Sequence, residues 1–162
     1  MQFKRKPRLT DFDYRGYNRY FITICTDRKR KLFENAERVN SIIEILANES
    51  SKSGFKIWAY CFMPDHLHLL LEGDKIDADM KLFVKVFKQK TGYLYHKESD
   101  ATGNSGKMWQ SSYYDHVLRS DEDTYEIVKY IINNPVRKAL ANNYMDYSYT
   151  GSFVVDIGTI DF

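Results

Sequence analysis

The sequence predicts an α+β domain in which an antiparallel sheet of the split βαβ, ferredoxin-like type carries its two main helices on one face. Strand-like and helix-like segments follow one another in the order β-α-β-β-α-β, and further helical segments come after them. The length of 162 residues, with 43% hydrophobic and 28% charged residues, is typical of one folded domain. We therefore expect a single domain over residues 1–162, with the first and third strands side by side at the centre of the sheet.

Four segments have the β-branched and aromatic composition of strands. They lie at residues 20–26, 55–62, 66–72 and about 113–119. A turn at residues 63–65, with Pro64 at its centre, separates the second strand from the third. The tail from Tyr144 is predicted to add an edge strand, followed by loose residues.

Apolar residues at helical spacing predict two long helices, over residues 36–50 and 77–96. In the second helix the lysines fall on the stripe opposite the apolar face, so they should point outward. Residues 98–107 are almost all turn formers and predict a flexible loop. In a split βαβ fold both helices cover the same face of the sheet, which leaves the other face for the C-terminal segments.

Those C-terminal segments are also helical. Ser120 with Asp123 resembles a capping box, except that Asp replaces the usual Glu or Gln, and it predicts a third helix over residues 121–134. Pro135 favours the first position of a helix and predicts a short fourth one over residues 136–141.

Composition excludes several classes of protein. Cys25 and Cys61 match no disulfide framework, and no apolar run approaches the roughly 18 residues of a membrane span. The basic N-terminus precedes no apolar signal segment, so we expect a cytoplasmic protein. The net charge of +2 permits a polyanionic partner without requiring one.

The third strand carries the first candidate site. Alternation along a strand sends Leu67 and Leu69 toward the helices, and it sends His66 and His68 together to the uncovered face. Two neutral imidazoles on one face can chelate a divalent metal ion. The alternative, a pair of hydrogen-bonded and half-buried histidines, is about equally consistent with the pattern.

Tyr130 and Asn134 form the second candidate pair. They are four residues apart and would share one face of the third helix. If that helix packs on the open face of the sheet, Asn134 completes the metal shell and Tyr130 presents its phenol as a nucleophile. The alternative is a core aromatic residue and a helix C-cap before Pro135, and spacing alone favours it.

Three blocks of sequence resemble a known family. Residues 59–71 resemble the His-hydrophobic-His (HUH) motif of the single-tyrosine transposases that act on single-stranded DNA. Residues 109–119 and 130–136 are similar to the downstream blocks of one branch, the REP-associated tyrosine transposases. Residues 20–33 fit that family's first strand and basic loop, and the resemblance extends over about residues 15–142.

The resemblance implies an enzyme that cleaves and rejoins hairpin-forming repeat DNA. By position, His66 and His68 match the metal histidines, Asn134 matches the third ligand and Tyr130 matches the nucleophile. The implied cofactor is Mg²⁺ or Mn²⁺, and the implied intermediate is a covalent 5′-phosphotyrosine. Insertion-sequence relatives more often have glutamine at the position of Asn134.

A rival nucleophile is Tyr125, but its neighbour four residues on is Lys129, which cannot bind a cation. We also expect His116 to make a structural hydrogen bond, although it could approach the site.

The implied partner is single-stranded or hairpin DNA with REP-like repeats, bound in the bacterial cytoplasm by a monomer or a homodimer. Cationic and aromatic side chains are the usual contacts of single-stranded DNA. The candidate contacts are Arg5, Lys6, Arg8, Lys85, Lys88, Trp109, Gln110 and Arg119. Trp109 is equally compatible with the core, and the lysines with solvated charge.

Two other functions compete with a transposase-like endonuclease. One is a domesticated, non-catalytic protein that binds DNA hairpins. The other is a metal phosphodiesterase that activates water, with Tyr130 in a structural role.

Overall fold

The chain folds around a five-stranded antiparallel sheet, and the first and third strands lie side by side near its centre, as predicted. The computed structural model describes residue 9, residues 11–102 and residues 106–161. The strand order is β4-β1-β3-β2-β5, so β1 and β3 lie side by side as expected. The strands are β1 Arg19–Cys25, β2 Phe55–Met63, β3 His66–Gly73, β4 Tyr114–Val117 and β5 Thr150–Gly151.

The short β5 is the edge strand predicted for the tail, and it pairs with β2. The four α-helices of the described residues are α1 Ala36–Ser53, α2 Met80–Thr102, α3 Thr124–Ile132 and α4 Asn134–Arg137. No helix in the described ranges is both long enough and apolar enough to cross a membrane.

The two long helices run further than their apolar patterns predict. Helix α1 continues through residues 51–53 and ends at Gly54, whose φ of +70° is a left-handed C-cap that glycine adopts without strain. Helix α2 extends to Thr102, so the flexible loop predicted from residue 98 begins as helix. Glu98 stabilises this additional part of α2, because its carboxylate lies 2.7 Å from Arg38 Nε of α1. This interhelical contact outweighs the turn propensity of the local sequence.

The C-terminal helices differ from the prediction in a way that affects the site. Asp123 alone is the N-cap of α3, because its side chain accepts a hydrogen bond from the Tyr125 amide. Helix α3 ends at Ile132, and Asn134 begins α4 instead of continuing the same helix. Pro135 has no N–H to donate four residues back, and a continuous helix would leave that carbonyl unbonded.

The two faces of the sheet carry separate hydrophobic clusters. Leu67, Leu69 and Leu71 of β3 pack with α1 and α2 in the larger cluster, as their alternation predicts. Leu70 faces the other way and packs with α3 in a smaller cluster. We call this second side, opposite α1 and α2, the site face.

Candidate active site

The histidine pair lies on the site face, with the two imidazole rings aimed at each other. In β3, His66 and His68 stand opposite Cys25 and Thr23 of β1. Their Nε2 atoms are 3.1 Å apart, and the ring planes are nearly perpendicular. The two ring nitrogens therefore converge on one point in front of the sheet.

Each imidazole is oriented through its other nitrogen. His66 Nδ1 lies 2.5 Å from Asp65 Oδ1, and since a carboxylate only accepts, Nδ1 carries the proton and Nε2 presents a lone pair. His68 Nδ1 lies 2.9 Å from the Thr23 hydroxyl, which can accept or donate. In this arrangement His68 Nε2 can donate to His66 Nε2, and a cation held by both Nε2 atoms would require Thr23 to accept from His68 Nδ1.

The distances and charge states fit a divalent cation. Adjacent ligands of an octahedral ion that are 3.1 Å apart correspond to metal–nitrogen distances of about 2.2 Å. Burial lowers the pKa of His68 to about 3, and His66 adds to the effect. Burial also lowers the pKa of His66, although Asp65 opposes it. Both rings are therefore neutral at pH 7, which is the form that binds metal ions.

Asn134 is the residue that sequence analysis names as a third ligand beside the two histidines. Among the described residues, no three His, Cys, Asp or Glu side chains are placed to hold a metal ion. Cys61, opposite His68 on β2, stays a thiol because burial raises its pKa to about 12. Asn134 is buried, and its Nδ2 donates to the Tyr130 carbonyl at 2.9 Å. The bond satisfies a carbonyl near the end of α3, although the C-cap residue of that helix is Asn133 and not Asn134 as the alternative interpretation had it, and it leaves Oδ1 as the accepting end of the amide.

Helix α3 brings Tyr130 to the histidine pair. The centroid of the Tyr130 ring is 6.5 Å from that of His68 and 6.0 Å from that of Phe21, which it meets edge-on. Phe21 also stacks on His68, so the three rings form one aromatic group on the site face. The structure therefore brings together His66, His68 and Tyr130, which lie up to 64 positions apart in the sequence.

The rival tyrosine lies on a different side of α3. Tyr125 is 49% exposed and packs edge-on against Trp58, with ring centroids 5.9 Å apart. It lines a shallow groove with the C-terminal residues Asp156 and Ile160. Five residues of α-helix rotate its side chain about 140° away from that of Tyr130, and this separates it from the histidines.

Lys29, Arg137 and Lys138 lie at the border of the site, although sequence analysis did not assign them to it. The Arg137 guanidinium lies over the Tyr130 ring, 4.8 Å from its centroid. The charges of Lys29 and Arg137 add to the lowering of the His68 pKa, and Lys138 acts in the same direction on His66. Helical spacing gives no signal for Arg137, because α3 ends at Ile132 and Arg137 belongs to α4.

Trp109 does not have the surface position of a DNA contact. It is 6% exposed, and its Nε1 donates to Thr91 Oγ1 at 2.8 Å. Its ring packs between Phe33 and Phe87 in the larger core cluster. A ring enclosed in this way has no face on which a base could stack, so the alternative assignment to the core is correct for this residue.

The other candidate DNA contacts are dispersed. Lys85 is exposed on α2, and Lys88 Nζ donates to the carbonyls of Gln110 and Ser111 at 2.7 and 3.0 Å. Arg119 is exposed in the loop between β4 and α3. Arg5, Lys6 and Arg8 lie outside the described residues.

A polar network fixes the loop that leads into α3. His116 Nε2 lies 2.8 Å from Glu122 Oε1, which is the structural hydrogen bond that we expected of this histidine. Glu122 also accepts from the Arg119 amide at 2.7 Å. Arg19 of β1 donates to the Arg119 carbonyl at 3.4 Å and to Thr124 at the start of α3. The N-terminus of the tyrosine helix is therefore tied to the sheet.

Comparison with known proteins identifies the family of this chain. The family described as IS200-like transposases matches residues 17–134, a span that includes both histidines, the tyrosine and Asn134. A Haemophilus influenzae protein without an assigned function is 29% identical over 159 residues, covering 82% of this chain and 88% of its own. Another protein of that organism, named as a candidate REP-associated tyrosine transposase, is 27% identical over 145 residues, covering 85% and 81%.

The fold has a solved counterpart. A REP-associated tyrosine transposase bound to a REP hairpin superposes with a TM-score of 0.67, covering 93% of this chain and 82% of the other. The two sequences are 19% identical, so the likeness is one of fold.

Proposed function

Because this chain belongs to the family of IS200-like transposases, we propose that it is a metal-dependent endonuclease and strand transferase of single-stranded DNA. The observation that carries the proposal is the convergence of His66, His68 and Tyr130 on one face of the sheet. Two neutral imidazoles with Nε2 atoms 3.1 Å apart lie beside a phenol, and the segments that hold them are far apart in the sequence.

In the proposed reaction, Tyr130 Oη attacks the phosphorus of a DNA phosphodiester. A bond forms between phosphorus and the phenol oxygen while the bond from phosphorus to the 3′-oxygen breaks. The phenol proton leaves to solvent, and the departing 3′-oxygen takes up a proton. The products are a free 3′-hydroxyl and a strand joined to Tyr130 through its 5′-phosphate, and attack by a DNA 3′-hydroxyl reverses the step without ATP.

Mg²⁺ or Mn²⁺ held by His66, His68 and Asn134 would supply positive charge to the phosphate oxygens. Other residues of the chain orient the metal-binding imidazoles and the tyrosine. Asp65 and Thr23 orient the imidazoles, while the ring of Phe21 and the hydrogen bond from Asn134 to the Tyr130 carbonyl position the tyrosine.

We infer that Arg137 stabilises negative charge at the reacting oxygens. Its guanidinium stacks on the ring that bears the nucleophile, and phosphate and phenolate are both anions. Lys29 and Lys138 add positive charge at the same border of the site. A strand that enters the site would therefore meet cations beside the histidines and the tyrosine.

The proposed substrate is a hairpin-forming repeat with a single-stranded flank. The solved relative bound to a REP hairpin and the named relative of Haemophilus influenzae support this class of substrate.

The test is a covalent adduct between protein and labelled DNA. We would incubate a labelled hairpin oligonucleotide with protein and Mn²⁺, with and without EDTA, and look for labelled protein on a denaturing gel. The expected band requires metal, disappears in Tyr130→Phe and persists in the matched control Tyr125→Phe. An adduct that survives in Tyr130→Phe but not in Tyr125→Phe would reassign the nucleophile. Cleavage without any adduct would indicate activated water, and binding without cleavage would favour a non-catalytic hairpin-binding protein.

A further inference from the structure

The loop that follows β1 holds two adjacent residues in the left-handed region of backbone conformation, and neither is glycine. Arg28 has a φ of 53° and Lys29 has a φ of 57°. This conformation is unfavourable for any residue that has a Cβ, so it persists only where surrounding contacts impose it. Strain of this kind is concentrated at functional sites. We call residues 27–30 the Asp27–Arg30 loop.

Hydrogen bonds fix the Asp27–Arg30 loop at both ends. The buried Thr26 donates from its amide to the Asp65 carbonyl at 3.0 Å and from its hydroxyl to the Arg30 carbonyl at 2.7 Å. The Arg30 guanidinium donates to the Tyr95 hydroxyl of α2 at 2.9 Å and to the Lys107 carbonyl. These contacts hold the two residues between the ends in their strained conformation.

The loop directs Lys29 to a carboxylate of the active site. Lys29 Nζ lies 3.7 Å from Asp65 Oδ2, while Oδ1 of the same carboxylate accepts from His66 Nδ1. The backbone of Asp65 therefore anchors the loop, and its side chain lies between the lysine and the histidine. The Lys29 side chain is 58% exposed. An ion pair this exposed contributes little to stability, so Lys29 can exchange Asp65 for another anion at small cost.

The positive charge of Lys29 opposes positive charge at the histidine pair. Burial is the main cause of the low pKa values of His66 and His68, and the charge of Lys29 lowers both further. A divalent ion between the two Nε2 atoms would meet the same repulsion. An anion that binds Lys29 would cancel this repulsion.

We propose that Lys29 couples DNA binding to metal binding by leaving Asp65 for a phosphate of the strand that enters the active site. This inference rests on the proposed function. After the exchange, the negative charge of Asp65 acts on His66 alone, and the phosphate neutralises the lysine. Each ligand then strengthens the binding of the other by the same factor, because coupling between two ligands is reciprocal.

The test measures binding without chemistry, in proteins that all carry Tyr130→Phe. Titration calorimetry gives the Kd for Mn²⁺ with and without a DNA hairpin that has a single-stranded flank, after subtraction of a titration of the DNA alone. Fluorescence anisotropy gives the Kd for the same DNA in EDTA. The test variant is Lys29→Gln. The matched control is Lys31→Gln, because Lys31 lies two residues further along the chain and pairs with Glu34 at 3.8 Å.

We expect Lys29→Gln to change the two affinities in opposite directions. Without DNA it should bind Mn²⁺ about threefold more tightly, because the repulsion is removed. In EDTA it should bind the DNA about fivefold more weakly, and the salt dependence should fall by about 0.7 for the lost phosphate contact. The factor by which DNA strengthens Mn²⁺ binding should fall about fivefold. Lys31→Gln should match the parent in all three measurements, and Lys29→Arg should restore most of the coupling.

Three results would overturn the proposal. Weaker Mn²⁺ binding together with a lower Tm in Lys29→Gln would give the lysine a structural role. An unchanged coupling factor would reduce Lys29 to a simple phosphate contact, even if DNA affinity falls. Equal changes in Lys31→Gln would indicate a general effect of net charge. Adduct formation by the wild-type protein tests the proposed chemistry separately, because an adduct without the coupling would contradict this inference alone.

Discussion

Asp65→Asn should weaken metal binding without unfolding the protein. Asp65 accepts from His66 Nδ1 at 2.5 Å, while its other oxygen lies 3.7 Å from Lys29 Nζ. Burial opposes ionisation, yet the hydrogen bond from His66 and the charges of His66 and Lys29 together lower the pKa of Asp65. An ionised carboxylate therefore sets the tautomer of His66 and increases the basicity of its Nε2.

The expected decrease in metal affinity follows from the loss of the negative charge of Asp65. Asparagine keeps the shape and an accepting oxygen but removes the negative charge behind the imidazole. Loss of such a partner lowers metal affinity about 10–100-fold, or about 1.4–2.7 kcal/mol. Titration calorimetry with Mn²⁺ would measure the change directly, and adduct formation at rising Mn²⁺ would report the same shift in apparent affinity.

A matched control is Asp27→Asn, which removes the same charge from a nearby loop. Asp27 lies 3.9 Å from Arg28, and it makes no described contact with the histidines. Asp27→Asn should therefore bind Mn²⁺ as the wild type does. Unchanged Mn²⁺ affinity in Asp65→Asn, with Tm also unchanged, would refute the view that this carboxylate supports a metal ligand.

Three further predictions concern the surroundings of the site. Arg137→Gln should slow adduct formation at saturating metal about tenfold while hairpin affinity changes less than twofold; equal rates would show that the stacked guanidinium has no part in the reaction. Trp109→Phe should lower the free energy of unfolding by about 1–2 kcal/mol, because the buried Thr91 hydroxyl loses its donor, and a clear loss of DNA binding would instead make it a DNA contact. The Glu122 pKa is lowered, against burial, by hydrogen bonds from the Arg119 amide and His116. The ionised Glu122 therefore stabilises the folded protein fully above the pKa of the unfolded chain, near 4.5, and this stabilisation is lost as the pH falls through the lower pKa of the folded state. The difference in unfolding free energy between wild type and Glu122→Gln should shrink over that acidic window, and a constant difference would contradict the assignment.

Local patterns predicted the parts of the structure that depend on one element at a time. The alternation of leucine and histidine in β3 determines which side chains face the helices, because a strand has a period of two. The same rule sent His66 and His68 to the open face before any partner was known. The blocks of sequence around them were specific enough to indicate the family.

Patterns failed where a contact from another element decides the conformation. The turn-forming residues from 98 onward are helical because Glu98 pairs with Arg38 of α1. Trp109 has the composition of a stacking platform, but it is enclosed by aromatic rings from the loop after β1 and from α2. Local sequence contains neither of these contacts.

The sequence by itself predicted the strand order at the centre of the sheet and the face that holds the histidines, and its resemblance to a known family indicated Tyr130 as the candidate nucleophile. Only the tertiary structure decided that Asn134 begins a new helix and that Arg137 stacks on Tyr130. The physical reason is range: strand alternation and helical spacing are properties of neighbouring residues, whereas the position of one element on another depends on packing between residues far apart in the chain.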